Sequence, residues 1–377
     1  MYWQREYLRE GTSMTLGTTW REDLPATGLL GGILLHIRRA GVTDSMVATE
    51  KWRLLDYVSN IEIIANGSTV IKSLTGQLAK YLTWLDGGGG TPDKAHNYGS
   101  STKRFHCMIN FGRFLFDHQY GLDLSKFNNV EIKITNDGSA TYFGGDWSVD
   151  ALCYYLRDAP AGAFPGFFRT EEWRKWTTVA DEKKYLELPT ESRIRRVVIQ
   201  TIPDVDATNN AETTPYNVAY GIEFYLKTGL LKVWDSGLRD LWYENYFDMG
   251  RDCFAAIEPY TTQDYGIHTG LGQVLGAGGL RLPHDGVQDT ASTSLTPGLD
   301  SSTLSRMTDT DADQDSILAM GLSLENCAVF RFDHLDDPEH YLDPLAQKTV
   351  ILNIHTRNAA TAADGTIRVI LDRYIPR

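Results

Sequence analysis

The pentapeptide Phe-Leu-Phe-Asp-His at 114–118 returns as Phe-Arg-Phe-Asp-His at 330–334, each time setting a carboxylate beside an imidazole. If Asp117 and Asp333 met across a cleft lined by aromatic rings, they would form the acid–base pair of a glycan-cleaving hydrolase. The rings on offer are Trp20, Trp52, Trp84, Trp147, Trp173, Trp176, Trp234 and Trp242. Most of them adjoin apolar strand or helix runs, where packing in a core is the commoner fate of an indole.

Three further patterns invite chemistry. Asp309, Asp311, Asp313 and Asp315 alternate in TDTDADQDS and could gather carboxylate oxygens around a cation. A calcium loop also requires Gly at its sixth position and Glu at its twelfth, which neither frame supplies, leaving a solvated acidic loop or weak calcium binding. His334 and His340 fall among acids in FDHLDDPEHYLD, but the first-half counterpart FDHQYGLDL keeps only His118 and two aspartates, which favours a polar turn over a metal site. GLGQVLG at 270–276 contains a GxG but is followed by AGGLRLP rather than a helix, so it does not read as a nucleotide loop. P-loop, HExxH and GxSxG patterns are absent. No residue is therefore assigned a catalytic, cofactor-binding or metal role, and no cofactor is implied.

Any such residues must be positioned by strands. GGILLHIRR, NIEIIANGSTVIKSL, NNVEIKITN, RRVVIQTI, YGIEFYLKTGLLKVW, QKTVILNIHT and TIRVILDRYI are short, β-branched or aromatic, and bounded by turn residues. Asn66-Gly67 between two apolar segments predicts a tight hairpin, so Asn66-Gly67-Ser68 reads as a turn rather than a glycosylation site. Two helices are predicted: one with Leu78, Tyr81, Leu82 and Leu85 on a stripe behind Thr75, the other with Leu238, Leu241, Trp242 and Met249 behind Ser236.

The order of elements is the same in both halves: strand, hairpin, helix, FxFDH segment, loop, strand, turn, strand. Superposing Gly76 on Gly237 brings Ile61-Glu62 onto Ile222-Glu223, and Leu24-Pro25 has its counterpart in Leu188-Pro189. This predicts a duplication, with the alternating Phe residues of each FxFDH facing a core and Asp-His closing the strand in a turn. The boundary falls in RDAPAGAFPG, 157–166, giving units of 1–160 and 161–377. The second unit carries an insertion at about 261–317, rich in Gly, Ser, Thr and Asp and read as a long loop; 86–102 is its smaller relative.

Bulk properties narrow the class. A chain of 377 residues supports two cores. A formal charge of −13 disfavours direct nucleic-acid binding, and the short basic clusters IRRAG (37–41) and RIRRVV (193–198) read as solvated strand faces. Cys107, Cys153, Cys253 and Cys327 are widely spaced and read as buried free thiols. No apolar run reaches the roughly 20 residues of a membrane span, and MYWQREYLRE lacks the apolar core of a secretory signal.

Two tandem β-rich halves, each with a helix after its middle strands, resemble the double jelly-roll major capsid proteins of tailless icosahedral double-stranded DNA viruses, the lineage of the tectiviruses and the adenovirus hexon. NIEIIANGSTVIKSLTG and FGRFLFDHQYGLDLSKFNNVEIKIT carry the resemblance most specifically. It implies an all-β fold of two eight-stranded jelly rolls with short helices and long surface loops, and a structural protein rather than an enzyme. It further implies homotrimers of pseudo-hexagonal outline tiling a virion shell assembled in the host cytoplasm or nucleus, with minor capsid and vertex proteins as partners. Members of the family often contact an internal membrane through the N-terminal segment. Met1, Tyr2, Trp3 and Tyr7 beside Arg5 and Arg9 suit such a contact, or equally an arm packed on a neighbouring subunit.

Overall fold

The computed structural model describes residues 1–39, 53–87, 94–96, 103–138, 145–160, 162–203, 205–206, 211–212, 215–250, 253–258, 265–268, 271, 274–281, 294–297, 303–307, 315–332, 337–357 and 365–376. The first half contributes β1 (Tyr2–Met14), β2 (Thr19–Asp23), β3 (Leu29–Arg39), β4 (Val58–Ala65), β5 (Thr69–Leu74), α1 (Gly76–Gly87), β6 (Lys94–His96), β7 (Lys103–Asn110), β8 (Leu122–Asp123), β9 (Val130–Asn136) and β10 (Trp147–Arg157). Its two sheets run β1-β10-β3-β7, with β8 on β3, and β2-β9-β4-β5.

The second half repeats this plan. Its strands are β11 (Gly166–Thr177), β12 (Lys183–Glu187), β13 (Ile194–Pro203), the small hairpin β14 (Val205–Asp206) and β15 (Ala211–Glu212), and β16 (Gly221–Leu226) and β17 (Leu231–Ser236), preceded by a one-turn α2 (Pro215–Val218) and followed by α3 (Leu238–Met249). The sheets are β11-β26-β13-β24 and β12-β25-β16-β17, where β24 is Cys327–Arg331, β25 Ile351–His355 and β26 Gly365–Pro376. Each half is thus two sheets with four strands in the jelly-roll order, β8 adding a fifth to the first, and with a helix between corresponding strands. Alternation explains the packing: in β9, Val130, Ile132 and Ile134 point inward while Glu131 and Lys133 sit half-exposed.

Register fixes which residues correspond. Phe111 N donates to Gly31 O at 2.9 Å, and Phe332 N donates to Arg195 O at 3.0 Å. Gly31 and Arg195 are 164 residues apart, the same separation as Leu24-Pro25 and Leu188-Pro189. Phe332 therefore corresponds to Phe111, not to Phe116, and the two FxFDH copies lie five residues out of structural register. The duplication is real, but the pentapeptide is not its mark.

Nor does 114–118 form a core-facing strand. β7 ends at Asn110, Phe114 is 41% exposed, and Phe116 has a φ of 69° in a turn. The Asp does cap that turn: Asp117 accepts from the backbone N of Arg113 at 3.0 Å and of Gln119 at 2.9 Å. Phe330, in the second copy, is buried on β24, while Asp333 and His334 lie outside the described residues.

Asn66 (φ 53°) and Gly67 (φ 73°) take the positive angles that a primed hairpin turn needs. The corresponding turn between Leu226 and Leu231 is one residue longer, so Ile61 corresponds to Ile222 at a separation of 161 while Leu74 corresponds to Ser236 at 162. Gly76 consequently matches Leu238 rather than Gly237. Both helices are 12 residues long. α1 buries Leu78, Tyr81, Leu82 and Leu85; α3 buries Leu238, Leu241 and Trp242, with Met249 packed at the edge of a core.

The insertion expected as a loop carries strands: β18 (Cys253–Glu258), β19 (Tyr265–His268), β20 (Val274–Arg281), β21 (Ser294–Pro297), β22 (Thr303–Met307) and β23 (Asp315–Gly321). They form a sheet β20-β23-β18-β6 and a smaller one, β19-β22-β21. Because β6 comes from the first-half insertion, the two insertions are knitted together through a parallel pairing of Ala256–Glu258 with Lys94–His96. Asp309, Asp311 and Asp313 lie outside the described residues, while Asp315 opens β23.

All four cysteines are free and buried, and burial pushes the Cys107 thiol up to about 12 and that of Cys153 up to about 11. Since the thiolate is the nucleophile, a thiol reagent at pH 8 is expected to leave the native protein unmodified and to label all four positions after denaturation. Labelling of native Cys107 or Cys153 within minutes would contradict this packing.

Candidate functional site

The two jelly rolls are joined edge to edge. β5 and β11 pair in parallel, Lys72 opposite Thr170 and Ser73 opposite Glu171, making one continuous eight-stranded sheet β2-β9-β4-β5-β11-β26-β13-β24. α1 then lies over the outward face of β13 and β26. On β13 the side chains alternate: Val197 and Ile199 enter the second core, whereas Val198 belongs with Tyr81, Leu85 and Ile370 to the cluster that continues the first core.

This joint carries the most concentrated buried charge among the described residues. Arg196 reaches Asp86 of α1 through both terminal nitrogens, at 2.6 and 3.0 Å, and Asp372 through Nε at 2.8 Å. Arg195 lies 3.6 Å from Asp86 and 3.5 Å from Asp372. Lys72 Nζ donates to Thr170 Oγ1 at 2.7 Å, and that hydroxyl donates to Asp372 Oδ1, also at 2.7 Å. The arginines beside it hold the Asp372 carboxyl below the usual range against the opposing effect of burial, and desolvation brings Lys72 down to about 8. The reading of RIRRVV as a solvated face is overturned: Arg195 and Arg196 are 5% and 4% exposed. They can be buried because Asp86 and Asp372 neutralise them. In the other basic cluster Ile37 is buried and Arg38 and Arg39 are half-buried.

A second cluster crosses the joint at the start of α1. Arg53 clasps Glu325 with two bonds of 2.7 Å and Asp56 with two of 2.9 and 3.2 Å. Lys80 Nζ lies 4.0 Å from Glu325 Oε1, and Gln200 donates to Gln77 at 3.1 Å. Paired charges in such dry surroundings enforce one geometry, since each loses its hydration unless the partner is in place. The sequence signal was there but unread: VIKSL, RIRRVV and VILDR each embed a charge in an apolar strand.

Among the described residues, those expected to do chemistry are not brought together. Asp117 is 2% exposed and locked by Arg113, whose Nε donates to it at 2.8 Å; these bonds hold its pKa below the ordinary value in spite of burial. Trp20, Trp84, Trp147 and Trp242 are core residues, and Trp173, Trp176 and Trp234 pack half-buried against the second core; Trp52 lies outside the described residues. The cavity at the joint, lined by Lys72, Asp86, Phe168, Arg196 and Asp372 among others, measures about 10 Å³, room for one water. A surface hollow of about 540 Å³ includes Glu339, His340 and Asp343 but neither Asp117 nor a tryptophan. No group of three metal-ligating side chains occurs among the described residues. The arrangement is that of a joint that holds surfaces in register.

The N-terminal segment is not a free arm. Tyr2 to Met14 pair antiparallel with β10, from Tyr2 opposite Arg157 to Met14 opposite Trp147, leaving β1 as the edge of its sheet. No helix among the described residues is long and apolar enough to cross a membrane.

These features define a tandem double jelly roll, the fold of viral major capsid proteins. A crystal structure of the major capsid protein of Sulfolobus turreted icosahedral virus aligns over 100% of this chain and 97% of its own, with a TM-score of 0.59 and 11% identity. The capsid protein of PBCV-1 virus aligns over 99% and 94%, at 0.57 and 10%. The major capsid protein P2 of bacteriophage PM2 aligns over 100% and 98%, at 0.51 and 11%. No family profile and no curated protein sequence matches the chain.

Proposed function

We propose that this chain is the major capsid protein of an icosahedral double-stranded DNA virus, a structural subunit without catalytic turnover. It forms homotrimers of pseudo-hexagonal outline that tile the virion shell and meet minor capsid and vertex proteins at their margins. Residues 1–160 and 161–377 supply the two jelly rolls of each subunit, and the knitted insertions are suited to a tower on one surface. One observation carries the reading: the β5–β11 joint fuses two like units into a rigid block, and the whole chain shares its fold with capsid proteins along nearly their full length. Rigid blocks with closed sandwiches and few exposed edges are what a symmetric shell requires. An inner-membrane contact by the N-terminal segment would use Met1, Tyr2 and Tyr7, its exposed apolar side chains.

Negative-stain imaging of the purified protein tests this. Class averages with three-fold symmetry and a six-cornered outline are expected. Isolated single-chain particles at every concentration, together with binding to a glycan array, would favour the alternative, a glycan-acting hydrolase or a lectin-like binding protein on a double jelly-roll scaffold.

A further inference from the structure

Two side chains at the joint carry hydrogen-bonding capacity that no described residue takes up, and both line the same small space. Asn110 closes β7; the residue is 8% exposed, and its Oδ1 is buried without a hydrogen-bond partner among the described residues. β3 supplies none, because the residue opposite is Gly32, where a Cβ would already stand 3.2 Å from that oxygen. Lys72 is 3% exposed, and its ammonium has three protons to place. One goes to Thr170 Oγ1 at 2.7 Å, and the ring of Phe111 lies 5.8 Å from Nζ.

The cavity of about 10 Å³ is walled by Lys72 and Asn110 together with Asp86, Thr170, Arg196 and Asp372. That is about the space one buried water needs, and such waters are held where two to four polar groups surround them. The walls also select the occupant. Lys72 and Arg196 would repel a cation and Asp86 and Asp372 an anion, which leaves a neutral molecule that both accepts and donates.

The pair is not a relic of duplication. By the correspondence of Phe111 with Phe332 and of Leu74 with Ser236, Asn110 matches Arg331 and Lys72 matches Trp234. Arg331 bonds instead to Asp248 at 2.9 Å, with its side chain 25% exposed. The arrangement therefore belongs to the joint and not to the jelly roll as such.

We propose that the joint binds one structural water, which accepts a hydrogen bond from Lys72 Nζ and donates one to Asn110 Oδ1. Lys72 donates to Thr170, and Thr170 donates to Asp372 Oδ1, at 2.7 Å each, so the water completes a chain of bonds from β7 of the first jelly roll to β26 of the second. Every bond in the chain runs outward from the ammonium, and one charged group anchors both arms. The polar side chains around the water are all under a tenth exposed, so it leaves only when the joint parts. This site goes beyond the capsid reading and does not depend on it.

A crystal structure at a resolution that shows ordered water tests the site directly. One peak within about 3 Å of both Lys72 Nζ and Asn110 Oδ1 is expected. A cavity without density, or a peak that reaches neither group, overturns the proposal. Thermal unfolding followed by circular dichroism tests the bridge, with Asn110→Leu made in the wild type and again in Lys72→Met. In the wild type the substitution is expected to lower the midpoint, since the water loses its acceptor. In Lys72→Met it is expected to leave the midpoint unchanged or raise it, because both ends of the bridge are then apolar. Equal losses in the two backgrounds overturn the bridge, since residues that share no partner act additively. If a variant fails to fold, the wild-type crystal structure still decides.

Discussion

Replacing Arg196 by Ala is expected to destabilise the protein by about 3–5 kcal/mol, because it leaves Asp86 and Asp372 buried with one distant guanidinium between them. The magnitude follows from the asymmetry of buried pairs. Forming one gains little over an apolar substitute, but removing one member strands the other charge away from water. Arg196 makes three contacts under 3.1 Å to the two carboxylates, whereas Arg195 stands 3.5 Å or more from both. The comparison variant is Arg38→Ala: Arg38 pairs with Asp150 at 3.0 Å with its side chain 36% exposed, and should cost under about 1 kcal/mol. Urea titrations followed by circular dichroism read both. If the two variants lose the same midpoint, the buried network does not hold the joint.

Lys80→Met is expected to act in the opposite direction. Burial lowers the amine to about 7 from its ordinary 10.5, the attraction of Glu325 notwithstanding. A lysine whose pKa is lower in the folded state binds its proton better in the unfolded chain. Its penalty is therefore complete below about pH 7 and fades as pH rises toward 10.5. A gap of this size corresponds to several kcal/mol, on the order of 4–5. The methionine variant should be more stable than wild type by a few kcal/mol at pH 6, and the difference should shrink through pH 8 and nearly vanish by pH 10. Lys72, brought down to about 8, adds a similar but smaller slope in wild type and variant alike. A stability gain independent of pH would mean that the amine is not the titrating group.

The legible part of this fold was its periodicity. Strands such as Val130–Asn136 and helices such as Gly76–Gly87 declare themselves through alternation and through the 3.6-residue stripe, because each buries one face against its own jelly roll. What stayed hidden depends on a second surface. Arg195 and Arg196 look like a solvated pair until Asp86 and Asp372, 110 and 176 residues away, are brought beside them. The repeated pentapeptide drew attention for its identity, yet register is set by backbone pairing, and that placed Phe111 and Phe332 together. Low periodicity in 261–317 suggested a loop because strands such as Val274–Arg281, with three glycines in eight residues, lack the alternating side chains by which strands are recognised. Asp117, singled out for acid–base work, proved to be a turn cap, the role that a short carboxylate two residues before a backbone N–H commonly takes.

The measurement closest to the central claim is the absolute mass of the purified protein in solution, by multi-angle light scattering across a hundredfold dilution. A subunit of 42.3 kDa that assembles as proposed gives a species of about 127 kDa that persists on dilution. A homogeneous species of 42.3 kDa at the highest concentration would contradict the assignment of this chain as a capsid subunit.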